Sequence, residues 1–137
     1  MVKLRQYIPR LAAGLFILNS GLGKRGADEQ SAQAYHGMAA GTYPFLEEIE
    51  PQQFAKTLST AEIALGAALV TPFVPTALVA PALGAFSAGL VGMYLKTPGM
   101  TQEDGVRPTP EGIGLAKDIF LLGIAGGLLA DVLSRKK

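Results

Sequence analysis

Leu58–Val74 reads LSTAEIALGAALVTPFV, and Glu62 stands one turn inside this largely apolar run. A carboxylate in a segment greasy enough to enter a bilayer needs a partner or a task, because an unpaired charge in hydrocarbon is costly. Upstream, Pro51 suits the first turn of a helix, and Pro72 ends it. The 51–71 segment, about 21 residues, would rise about 31 Å as a helix, which matches the hydrocarbon core of a membrane.

Three further segments share this character. Ile8–Gly23 reads IPRLAAGLFILNSGLG, Pro75–Lys96 reads PTALVAPALGAFSAGLVGMYLK, and Pro110–Ser134 follows Thr109, which is placed to cap it. Pro81 should bend the first turns of the third segment. A soluble helical bundle would keep polar faces, with apolar residues only at i, i+3, i+4 and i+7. Residues 64–70, 76–95 and 119–130 lack such faces, being apolar or small all round. A chain of 137 residues cannot bury four helices on every side, and its mean hydropathy is +0.30. The expected fold is all-α, a four-helix integral membrane bundle. It forms a single domain over 1–137, with helices at about 8–23, 51–71, 75–96 and 110–134. A cleavable leader is the alternative for the N-terminus, since Ala32-Gln33-Ala34 fits a cleavage pattern. Lys24, Arg25, Asp28 and Glu29 lie between the apolar run and that site, which favours retention as the first span.

The composition narrows the chemistry. Cysteine is absent and His36 is the single histidine, so the chain has no disulfide, thiolate nucleophile, Cys-ligated zinc or iron–sulfur cluster, and no bis-histidine haem. A net charge of +1 gives no whole-chain case for nucleic acid. No Walker loop, HExxH or Ser/His/acid arrangement is found, and no catalytic or metal-binding residue is assigned. His36 reads as a surface or interfacial residue. Glu47-Glu48-Ile49-Glu50 reads as a solvated acidic run whose charge suits the following helix N-terminus.

Lys3, Arg5, Arg10 and Arg135-Lys136-Lys137 crowd into short tails, which places both termini in the cytoplasm. Segments 24–50 and 97–109 then face outward, and 29–40 (EQSAQAYHGMAA) forms a short amphipathic helix in the outer loop. Ala80, Gly84, Ala88 and Gly92 recur at a spacing of four, as do Gly123 and Gly127; such rows let helices approach closely in lipid. They would hold the bundle together or face another protein.

On this topology Asn19, Ser20, Lys24, Glu62, Tyr94, Lys117 and Asp118 share one depth near the outer end. Glu62 would meet Lys24 or Lys117 there, either as a staple between helices or as the polar end of a small-molecule or quinone-headgroup pocket. The other half looks apolar, offering only Asp131 and the terminal basic residues, too little for a transport path.

Arg10–Lys24, RLAAGLFILNSGLGK, resembles the opening helix of DoxX-like membrane proteins through Arg10, Gly14, Leu15, Phe16, Gly21 and Lys24. Glu62, four residues before Gly66, is similar to the glutamate-containing second span of that family. The resemblance implies a bacterial or archaeal plasma (inner) membrane protein, multi-pass, associated with oxidative-stress or respiratory assemblies. The functional expectation is an accessory or interaction subunit without activity or cofactor of its own, whose partners are other membrane subunits and the lipid bilayer. The alternative is a quinone-reactive small subunit of a thiosulfate–quinone type oxidoreductase. The acidic first loop and the 98–112 insert read as contact surfaces.

Overall fold

The computed structural model describes residues 2–26, 28–97, 99–103, 107–110 and 112–134, so the basic 135–137 tail lies outside the described residues. The described chain is helical: α1 (Leu4–Arg25), α2 (Glu29–Thr42), a short 3-10 helix (Pro44–Glu48), α3 (Pro51–Val70), α4 (Thr76–Lys96), α5 (Ile113–Ala116) and α6 (Asp118–Ser134). One of these, Thr76–Lys96, is by itself long and apolar enough to cross a membrane. In α1 and α3 charged residues interrupt the apolar windows. At 17 residues α6 rises only about 26 Å.

The first helix begins at Leu4, earlier than the apolar run suggests, because Gln6 and Arg10 turn inward and are buried with Ala13, Ile17 and Gly21. Pro9 falls in the second turn, where it removes one N–H donor without ending the helix. The fourth segment starts later than Pro110. Thr109 is not the N-cap expected of it: its hydroxyl accepts the Gly112 N–H at 3.1 Å in a turn ahead of the helix, whose N-cap is Gly112 and whose first residue is Ile113. At Lys117 the helix tightens, with Phe120 N–H bonded to the Lys117 carbonyl three residues back.

Two antiparallel pairs make the body, α1 against α3 and α4 against α6, with sparser contact between the pairs. The buried residues of the α1–α3 pair, Arg10, Ala13, Ile17 and Gly21 on α1 and Ala55, Ser59, Glu62, Gly66 and Leu69 on α3, recur at spacings of three and four, and Gly14 meets Gly66 and Leu69 directly. Backbones meet where side chains are missing. A Cβ on Gly66 would come within 2.8 Å of the Gly14 carbonyl oxygen and the Leu18 nitrogen, and one on Gly14 within 2.9 Å of Leu69 Cβ. Ser59 adds a hydroxyl bond to the Gly21 carbonyl at 2.8 Å.

This seam, rather than the two small-residue rows, carries the closest helix packing. Of the α4 row, Ala80 is fully buried, and a Cβ on Gly84 would sit 3.7 Å from Ala125 Cβ, in ordinary contact. Ala88 is exposed. Gly92 makes room for a tyrosine, since a Cβ there would lie 2.7 Å from the Tyr43 hydroxyl. Gly123 and Gly127 are exposed and an added Cβ meets nothing, so neither packs against another part of the described chain. The physical reason is rotational. The α6 core face is Asp118, Leu121, Ala125 and Leu128, and Gly123 and Gly127 lie off that line.

The end opposite the termini is covered by α2. The Asp28 carboxylate caps it by accepting the Ser31 N–H at 2.8 Å, and this bond holds the Asp28 carboxyl below the usual carboxylate range. Tyr43 donates to the Gly89 carbonyl of α4 at 2.7 Å. His36, half-buried, reaches the Leu46 carbonyl at 2.7 Å and stands edge-on to Phe54 at 5.6 Å, so it ties the cap together. The second connection folds back on itself. Thr101 and Pro108 form an antiparallel bridge, Thr109 N–H bonds the Met100 carbonyl at 3.0 Å, and Gly112 packs so closely on that carbonyl that no Cβ could be placed there.

Gly66→Ala should force α1 and α3 apart and lower the unfolding free energy by about 1–3 kcal/mol, the range of overpacked cores. Gly123→Ala, in open space, should leave it unchanged or slightly raised. Thermal unfolding in mild detergent compares the two; equal effects would contradict the seam.

Candidate functional site

Two buried polar centres lie at opposite ends of the body. The first, near the termini, is built on Arg10, which has no exposed surface. The last carbonyls of α3 have no partners within the helix and need outside donors. Ala67 receives the Thr71 N–H at 3.0 Å and its hydroxyl at 2.7 Å. Arg10 Nη2 donates to Ala68 at 2.9 Å and to Thr71 at 2.9 Å, and Nε donates to Leu69 at 3.0 Å. Tyr7 completes the set, its hydroxyl donating to Val70 at 2.7 Å. A guanidinium at a helix C-terminus also meets the negative end of the helix dipole.

From Arg10 the network runs on. Nη1 donates to Thr76 Oγ1 at 3.0 Å, and Thr76 donates to Gln6 Oε1 at 3.0 Å. Gln6 Nε2 donates to Asp131, whose other oxygen accepts Arg5 Nε at 2.8 Å. One chain of bonds thus joins α1, the α3 terminus, α4 and α6. The expectation of an apolar half at this end is corrected accordingly. Arg10 and Gln6 look like flanking residues in sequence but turn into the core.

The second centre lies under α2. Lys24 Nζ stands 3.0 Å from Glu62 Oε1 and donates to Glu62 Oε2 at 3.4 Å and Ser20 Oγ at 2.6 Å. Ser20 donates to Glu62 Oε2 at 3.0 Å. The Lys24 ammonium also sits 5.4 Å from the Tyr35 ring centre, a cation–π contact with the cap. Glu62 is 4% exposed and Asp118 8%. Asp118, in the first turn of α6, is within electrostatic reach of both Lys24 and Glu62.

These groups border a cavity of about 480 Å³ between the two helix pairs. Its remaining wall is mainly apolar, with Phe16 from α1, Phe54 from α3, Phe86 and Met93 from α4, and Tyr35 and Met38 from the cap. The volume falls within the range of small-molecule sites.

The cluster expected from depth alone is therefore divided. Lys24, Glu62, Ser20 and Asp118 come together, and the partner of Glu62 is Lys24, not Lys117. Lys117 and Asn19 are exposed and off the cavity wall. Adjacent residues on a helix differ by about 100° in direction, so Lys117 cannot share a face with Asp118, nor Asn19 with Ser20. Tyr94 is buried on α4 but does not line the cavity. Sequence reasoning missed Gln6, Arg10 and Thr76 as a network; the signal available was their inward spacing of four on α1 and a polar residue beside a proline turn. The apolar cluster of Ile17, Leu69, Val79, Leu83, Leu121 and their neighbours separates the two polar centres.

Comparison with protein-family models, with curated proteins and with solved structures finds no match for this chain.

Removing one member of the Lys24–Glu62 pair should cost more than removing both charges, because a single change strands a buried ion. Lys24→Met should lower stability by about 3–5 kcal/mol, and Glu62→Gln added to it should recover at least half of that loss. A double-mutant cycle of unfolding midpoints reads this directly, and simple additivity of the two single losses would refute the pair.

Proposed function

We propose that the chain is a multi-pass protein of a bacterial plasma membrane, DoxX-like in layout, with both termini cytoplasmic. It acts as an accessory, interaction subunit of a larger membrane complex of respiratory or redox type, without catalysis of its own. The observation that carries the reading is the outer surface of α4 and α6. From Thr76 to Leu95 and from Ile119 to Ala130 no charged side chain occurs, yet large apolar groups face outward, Leu78 at 67% and Phe120 at 71% exposure. Water-soluble domains rarely leave so extended an apolar surface uncovered. Helices α1, α3 and α4, at 22, 20 and 21 residues, rise about 30–33 Å, and α5 with α6 makes a fourth segment of similar reach. The open ground over Gly123 and Gly127 supports contact with a helix of another subunit.

The cavity favours a second reading, a quinone-reactive subunit of a thiosulfate–quinone type oxidoreductase. It combines a polar end with apolar walls, as a quinone head requires. Electrons would then have to come from a centre on a partner, because the chain has no cysteine and one histidine.

The cysteine-free sequence makes topology easy to test. Lys3→Cys should resist a membrane-impermeant maleimide in intact cells, whereas Ser31→Cys and Gln102→Cys should react. Labelling of all three, or full release of the protein by alkaline carbonate, would overturn the membrane reading. Affinity purification in mild detergent should recover partner subunits at fixed stoichiometry. A solitary protein that retains quinone would instead favour the second reading.

A further inference from the structure

The cavity under α2 holds more acid than base. Glu62 and Asp118 both border it, each more than nine-tenths buried, and Lys24 is the one basic side chain in its described wall. Lys24 is already committed to Glu62 and Ser20. Glu62 takes up that ammonium with both oxygens, Oε1 at 3.0 Å and Oε2 at 3.4 Å. Asp118, the second carboxylate, borders the same apolar wall with no cation at ion-pair distance among the described residues, and a buried charge without a partner is costly.

We propose that this cavity is a binding site for a monocationic amphiphile, one with a primary or secondary ammonium head on a compact apolar body. The head supplies the missing positive charge beside Asp118, and its N–H groups donate to that carboxylate. The body lies against Phe16, Phe54, Phe86 and Met93. Tyr35 already turns its ring toward the Lys24 cation and so lines the site with a surface that tolerates positive charge. An anionic ligand would meet two carboxylates and a lysine that is already paired. A bare divalent cation is disfavoured, because two carboxylates fall well short of the six or so oxygens that such ions take, and no group of three metal-ligating side chains occurs among the described residues. The inference rests on the cavity, and on the membrane reading only for the medium of the test.

The test uses the whole chain in phosphatidylglycerol nanodiscs, titrated calorimetrically with phenylbutylamine, phenylbutanol and phenylbutyrate, with empty nanodiscs subtracted. The amine should bind saturably, and the alcohol and the acid at least about tenfold more weakly, as befits loss of a charge-assisted contact. Asp118→Asn should weaken the amine by about tenfold or more while the unfolding midpoint holds, and Glu62→Gln provides a second variant should the first fail to fold. Phosphatidylethanolamine added to the nanodisc separates the sources of the ammonium. Displacement of the amine marks a bilayer lipid as the resident, and undiminished binding marks a free amine; either outcome supports an ammonium site. Equal affinity for amine and alcohol, no amine binding at all, or unchanged amine affinity in the variants would overturn it. A protein that fails to enter nanodiscs sinks the membrane reading instead, and the same three titrations in detergent-free buffer then decide the site.

Discussion

Most of the architecture depends on one side chain beneath one helix end. The C-terminus of α3 is buried, and a buried helix end with bare carbonyls is not viable without outside donors. Arg10 serves the carbonyls of Ala68, Leu69 and Thr71, and its neighbour Tyr7 serves Val70. Because the same guanidinium also holds Thr76, it fixes where α4 departs from the proline turn. Gln6 and Asp131 extend the hold to α6. Arginine suits the place as lysine would not, since a planar fork with five donors can satisfy several acceptors at once without reorienting.

The two polar centres differ in how completely they are satisfied. Around Arg10 the carbonyls at the α3 end each have a donor, and the bonds made by Arg10, Tyr7, Thr76 and Gln6 link one helix to another. Under α2 the pattern is looser. Lys24, Ser20 and Glu62 form a closed triangle, but Asp118 adds a further charge beside a cavity, with no cation at ion-pair distance among the described residues. The first arrangement is that of a structural joint. In the second, unsatisfied capacity and adjoining space occur together, as they do where something is bound.

Helix existence was readable from sequence because apolar runs bounded by proline leave few options, and Glu62 pointed to the cluster under α2 because a charge within such a run must be paired. What could not be read was rotation about each helix axis. Depth alone grouped Asn19, Lys117 and Tyr94 with Glu62, whereas direction excludes the first two from the cavity and buries the third elsewhere. The same gap affected the glycines. A spacing of four drew attention to Gly123 and Gly127, while the residues that bring backbones together, Gly14, Gly21 and Gly66, sit on a seam that appears only when two helices are compared in register. Arg10 was hidden for a simpler reason. At the edge of an apolar run, a basic residue reads as a headgroup anchor unless the acceptors waiting for it are known.

The bundle is fastened unequally along its length. The α1–α3 pair is drawn tight by its glycines, and the Arg10 network binds that pair to α4 and α6 at the end near the termini. At the far end the two pairs share a cavity and are bridged by the cap, with Tyr43 holding α4 through a single hydroxyl bond to Gly89. Such a body is built like a pair of tongs. Any motion of one pair against the other would pivot at Arg10 and be widest at the jaws, beside Glu62 and Asp118, where the fewest bonds oppose it.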